Sequence, residues 1–165
     1  MGGNDGSTSN ATEEYDGTSW SSGGNLATAR SFLPGAGTQS AGLCMGGTDG
    51  SNSNVTEEYD GTSWSSGGNL VTARAYLAGA GTQSAGLCMG GNVGGALNVT
   101  EEYDGTSWSS GGNLATARYE PAGAGTQSAG LVMGGGPGPV LNVTEEYNAP
   151  GPGSYDELFT PSQGL

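Results

Sequence analysis

The fifteen residues TEEYDGTSWSSGGNL stand at 12–26, at 56–70 and at 100–114 without a single change. After each copy and a short variable stretch comes GAGTQSAGL, at 35–43, 79–87 and 123–131. Met-Gly-Gly recurs at 1, 45, 89 and 133, and Thr-Glu-Glu-Tyr at 12, 56, 100 and 144, so the period is 44 residues. A repeat of this length is one supersecondary unit that buries its apolar face only against its neighbours. Units begin near 1, 45, 89 and 133, which gives three complete copies and a partial fourth. The fourth keeps Met133 to Gly135 and Asn142 to Tyr147, then departs into a Pro/Gly-rich stretch. Residues 1–147 therefore read as the repeat domain and 148–165 as a terminating cap or extended tail.

Each unit divides into four short strands separated by Gly-rich turns. In the second unit the first strand is Ser40 to Met45, ended by Gly46-Gly47. The next is Asn54 to Tyr59, ended by Asp60-Gly61, a tight-turn dipeptide. A third runs from Thr62 to Ser66, and the fourth through Ala73 to Leu77 into a GAGTQ turn. No segment carries a 3.6-residue apolar period over ten residues, and only Tyr155 to Phe159 leaves room for a short helix. The fold class is all-β, with thirteen expected strands, or fourteen if Ser154 to Thr160 adds one.

Composition narrows the chemistry. Of 165 residues, 35 are Gly and 7 Pro, close to the level where low complexity sets in. The recurrence of those glycines in register argues for turns in an ordered repeat instead. There are 16 acids, three arginines, no lysine and no histidine, for a net charge of −13. Three cations cannot track a nucleic-acid backbone. Without histidine, Ser-His-Asp, Cys-His and His-ligated zinc chemistry are excluded. No apolar run reaches the length of a membrane helix, and the N-terminal residues lack the basic start and apolar core of a signal peptide.

A Gly-Gly pair closing an apolar strand, a Glu-x-Tyr-Asp strand, a Trp, then an Arg opening the last strand together resemble the kelch repeat. Here these are Gly46-Gly47, Glu57 to Asp60, Trp64 and Arg74, and their counterparts one unit either side. The resemblance covers residues 1–147 and implies blades of a β-propeller, each of four antiparallel strands. The near-identical copies are also similar to kelch-like arrays in bacteriophage virion and tail-fibre proteins. Thirteen strands fall short of the sixteen of a four-bladed ring. Three arrangements follow: an incomplete ring, chains that share blades (two chains making six, for example), or part of a longer fibre. The copper chemistry found among kelch-like propellers needs histidine ligands, so it does not carry over.

Several side chains are candidates for a site. Trp20, Trp64 and Trp108 stack on sugar rings if exposed, or pack between blades. Glu57 and Tyr59 share one strand face, and Thr56, Glu58 and Asp60 the other. Repeated around an axis, such carboxylates make a ring, with Glu58 and Asp60 as weak candidates for a hard cation; the alternatives are a solvated edge or pairing with arginine. Arg30, Arg74 and Arg118 are expected to form structural ion pairs, with Glu14, Glu58 and Glu102 as partners. Cys44 and Cys88 sit where the third unit has Val132, the mark of a small buried apolar site. The stretch TDGSNS at 48–53 becomes NVGGAL at 92–97 and GPGPVL at 136–141, while SFLP at 31–34 becomes AYLA and YEPA. Variable sequence on a fixed scaffold is where copies diverge in contacts, and Asp49, Asn52 and Asn92 are the polar candidates there.

The expectation is a non-catalytic structural or binding module with no cofactor, a virion, fibre or surface-adhesion component on a virion or extracellular surface. Its partners would be other copies or surface proteins, and glycans if it acts as a lectin-like propeller. A glycan-processing enzyme is the remaining class; identical copies cannot easily separate an acid from a base.

Overall fold

A computed structural model describes residues 1–138 and 140–149. The cap, helix and extra strand expected beyond residue 149 lie outside these residues. The described residues form thirteen strands and no helix. In chain order these are β1 Glu13–Tyr15, β2 Trp20–Ser22, β3 Gly35–Thr38, β4 Ala41–Met45, β5 Thr56–Tyr59, β6 Trp64–Ser66, and β7 Ala78–Thr82. They continue with β8 Ala85–Met89, β9 Thr100–Tyr103, β10 Trp108–Ser110, β11 Ala122–Gly125, β12 Ala129–Met133 and β13 Thr144–Asn148. They make four antiparallel sheets: β1-β2, β3-β4-β5-β6, β7-β8-β9-β10 and β11-β12-β13. This is a β-propeller-like arrangement of blade units.

The division into sheets differs from the sequence expectation in one respect. The strand placed at Ala73 to Leu77, running into a GAGTQ turn, is instead β7, and the GAGT residues belong to it. β7 pairs forward with β8, from Ala78/Met89 to Thr82/Ala85. The connection inside that hairpin is only Gln83 and Ser84, and Gly81, near the end of β7, has φ +90°. Segment 67–77, by contrast, leaves β6 and crosses to the next sheet.

Across each four-stranded sheet the side chains change with depth. The inner strand is Gly and Ala. The second is AGLCM, whose Leu43, Cys44 and Met45 are all fully buried. The third is TEEY, and the outermost is WSS. The second strand is covered on both faces because a neighbouring sheet lies on each side. One core joins Leu43, Met45 and Leu70 to Leu77, Cys88, Tyr103 and Trp108. A second joins Leu87, Met89 and Leu114 to Val132 and Tyr147. Leu70 and Leu114 come from the crossing segments, so the links between sheets also fill the core.

The inner strands β3, β7 and β11 lie side by side, and glycine sets their approach. A Cβ on Gly79 would sit 3.0 Å from Gly35 O, and one on Gly123 only 2.6 Å from Gly79 O. Backbone against backbone leaves nothing to move aside. Gly123→Ala should lower stability by about 1–3 kcal/mol, the cost of overpacking. Gly95→Ala, in open space, should change it by less than about 0.5 kcal/mol. Urea unfolding of both variants measures the contrast.

Candidate functional site

The variable stretches of every unit lie at one end of the molecule. The loop between the second and third strands of each sheet meets the segment that enters the inner strand. Ser31 bridges to Thr48, Ala75 to Asn92 and Tyr119 to Gly136. Adjacent loops also touch, since Asn52 Nδ2 donates to Asn92 O at 3.1 Å. Asp49 and Asn52 are exposed and Asn92 is half-buried. Asp49 and Asn92 partly spend their oxygens on their own turns, accepting from Ser51 N and Gly94 N.

Beside these loops the entering segments carry aromatic rings. Phe32 and Tyr76 stack with centroids 4.2 Å apart, and Tyr119 meets Tyr76 edge-on at 6.5 Å. Phe32, Tyr76 and Glu120 occupy the same place in successive units. All three have left-handed backbone, with φ of +54°, +58° and +56°. A bulky residue in that region is held there by its surroundings. Here the hold is a backbone chain: Tyr76 N donates to Phe32 O, and Glu120 N to Tyr76 O. Sequence reading marked these segments as variable but gave no sign of the left-handed turn, because none of the three is Gly or Asn. Phe32 remains 46% exposed, one residue on from Ser31, which bridges to the loop at Thr48.

Buried arginines close the loops at their base. Arg30 Nη1 donates to Gly46 O at 2.6 Å and to Val55 O at 2.8 Å, the two ends of one variable loop. Arg118 does the same for Gly134 O and Val143 O, and Arg74 bonds Val99 O. Their carboxylate partners are Glu57, Glu101 and Glu145, at 2.8 Å and 3.2 Å for the first two pairs. The expected partners Glu14, Glu58 and Glu102 are thereby corrected. In a strand, neighbouring glutamates face opposite ways, and it is the first of each pair that turns inward to the arginine. The same carboxylates accept backbone N–H bonds from the crossing segment, as Glu101 does from Val71 and Thr72.

The second glutamate accepts a tyrosine hydroxyl from the next sheet. Tyr59 donates to Glu14, Tyr103 to Glu58 and Tyr147 to Glu102. Burial, then the adjacent Glu58 or Glu102, pushes the Tyr103 and Tyr147 hydroxyls up to about 12. For Tyr59 the bond to Glu14 is the leading cause of an upward shift. Asp16, Asp60 and Asp104 cap their own turns; each accepts two backbone N–H bonds, which hold the carboxyl below its usual range. Glu58 and Asp60 are therefore already engaged, and the carboxylates lie on third strands and turns, not in a ring on the inner strands. Among the described residues no three His, Cys, Asp or Glu side chains cluster as metal ligands.

The tryptophans lie on the outer strands, away from the loop end. Trp108 is 6% exposed and Trp64 half-buried, whereas Trp20 is 67% exposed. Trp108 Nε1 donates to Thr56 Oγ1 and Trp64 Nε1 to Thr12 Oγ1, both at 2.9 Å. Trp108 is thus a link between sheets and has no face for a sugar, which removes it from the ligand contacts. Cys44 and Cys88 are buried free thiols, and burial pushes each up to about 11. Asn54 and Asn98, two residues before Thr56 and Thr100, also act internally, donating to Leu70 O and Leu114 O.

No family model and no curated protein matches this chain. Solved structures do. One of them, titled "Structure of YjhT", superposes with a TM-score of 0.71 at 12% identity over 83% of this chain. The match covers 49% of that structure, so the chain spans about half its length. At this identity the likeness shows the fold alone.

Two outcomes test the geometry. Arg74→Leu leaves Glu101 buried without its cation and should cost about 3–5 kcal/mol; adding Glu101→Gln should recover part of it, as read by urea unfolding. Because the Tyr103 and Tyr147 hydroxyls are raised in the folded state, their contribution is complete below the unfolded value near 10. It is lost as pH rises through about 12. Unfolding midpoints should fall across that window, and the fall should shrink in Tyr103→Phe/Tyr147→Phe, with tyrosinate absorbance reporting the titration.

Proposed function

We propose that the chain is a non-catalytic binding module that presents its variable loop end to a partner. The observation that carries this reading is convergence: the stretches that differ between units share one end, above loop bases that arginine clamps in the second, third and fourth units. A rigid base with divergent tips is the usual arrangement of a recognition surface. The resemblance to phage virion and fibre repeats makes a virion, fibre or adhesion component on an exposed surface the matching role. The strongly negative charge favours solubility and disfavours anionic polymers as partners.

One observation favours glycans among the partners. Phe32 stands exposed and stacked on Tyr76, next in sequence to Ser31, which bridges to the polar loop at Thr48, and an exposed ring beside a hydrogen-bonding loop suits a sugar. Glu14, Glu57, Glu58, Glu101, Glu102 and Glu145 of the repeated strands are engaged in structural bonds, which supports binding over catalysis. A glycan array probed with the purified chain should show bound sugars. Phe32→Ala should then weaken binding about tenfold or more, in keeping with a central aromatic contact worth over 1 kcal/mol. Thr62→Ala, on a β5–β6 turn, should leave it unchanged. Binding insensitive to Phe32→Ala would move the site away from this end.

A further inference from the structure

The tryptophan links between sheets form a series with one place unfilled. Thr12 Oγ1 receives the indole of Trp64, and Thr56 Oγ1 that of Trp108. Thr100 is the next member. It is fully buried, and its Oγ1 has no hydrogen-bond partner among the described residues. Among the described residues, no outer strand lies beside β13 to bring a tryptophan there. At the other side of the molecule Trp20 has an indole but no threonine beneath it, and it is 67% exposed.

The half-sheet carrying Trp20 is incomplete in the complementary way. β1-β2 has three residue pairs and no inner strands. Where an inner hairpin lies in the other sheets, there is instead a groove of about 500 Å³. Tyr15, Trp20, Ala36, Gly42, Tyr59 and Trp64 are among its lining residues. The third sheet's neighbour, β11-β12-β13, has the inner hairpin and, among the described residues, no outer strand.

We infer that β11-β12-β13 of one copy docks beside β2 of a second copy of this chain. β13 takes the place of β1, and the β11-β12 hairpin fills the groove. The register follows the other sheets, where Glu57, Glu58 and Tyr59 face Ser66, Ser65 and Trp64. It therefore sets Glu145 against Ser22, Glu146 against Ser21 and Tyr147 against Trp20, all across copies. The exchange loses no bond at the third strand, because residues 144–147 repeat residues 12–15. Thr144 accepts the indole of Trp64 as Thr12 did, and Glu146 the hydroxyl of Tyr59 as Glu14 did. The gain is the Trp20 indole, which buries its ring and donates Nε1 to Thr100 Oγ1. A two-stranded sheet of this size is the weakest in the molecule, so β1 is the strand most easily exchanged. Two such joints close a ring, in keeping with one copy spanning half of the solved structure it resembles. This inference is independent of the loop-end reading.

Light scattering should give a two-chain mass, near twice 16.2 kDa. Trp20→Ala should return it to one chain at the same concentration with unchanged circular dichroism. A one-chain mass for the unaltered protein up to 100-micromolar concentrations (about that order,) overturns the joint, as does a Trp20→Ala chain that keeps the two-chain mass. A second measurement does not depend on that variant. In a Cys44→Val/Cys88→Val background, Ser21→Cys/Glu146→Cys should oxidise to a covalent two-chain species. A free or internally linked single chain overturns the proposed register.

Discussion

Each buried arginine ties two sheets with one residue. Arg74 shows how. Its backbone carbonyl accepts Gly47 N, at the foot of the loop in the β3–β6 sheet. Its guanidinium bonds Val99 O and Glu101 in the β7–β10 sheet. Strands of three to five residues cannot hold such a geometry by pairing alone. A guanidinium can, because its planar fork offers five donors in fixed directions. The chain has only three cations, and all three are spent this way. A buried pair is no great source of net stability. Its value here is positional: it fixes the crossing segment, the third strand and the loop base relative to one another.

That clamp explains how the loops can vary. The residues between Gly46 and Val55 differ from those between Gly90 and Val99 while the strands stay alike, because the hydrogen bonds that end the strands lie below the variable part. Gly46 N pairs with Val55 O, and Gly90 N with Val99 O, in the same way. Variation above the clamp costs the fold little. The left-handed Phe32, Tyr76 and Glu120 extend the same logic to the second variable segment: backbone bonds between sheets set the turn, and the side chain is free to change from Phe to Tyr to Glu.

The 44-residue period, the AGLCM and TEEY strands and the Asp-Gly turns were legible because local chemistry marks them. The GAGT strand was not, since Gly and Ala in that order read as a turn until neighbouring inner strands need close backbone approach. Alternation showed that Glu57 and Glu58 face opposite ways, but not which way the arginine lies. That depends on the crossing segment, which carries Arg74 over to the next sheet. The loop end was legible only as variability; its convergence is a property of the topology.

The tryptophans carry the point further. Trp20, Trp64 and Trp108 sit in identical fifteen-residue contexts, yet their exposure falls from 67% to 6%. No rule of composition or spacing distinguishes them. What differs is the covering sheet, so their environment is a property of position in the stack. The same holds for the threonines beneath: Thr56 and Thr100 are both fully buried, and among the described residues Thr56 has an indole to accept and Thr100 has none. A repeat therefore specifies the bonds of its interior units and leaves a matched donor and acceptor at its two faces. Those faces are where a repeat array acquires either a terminus or a partner.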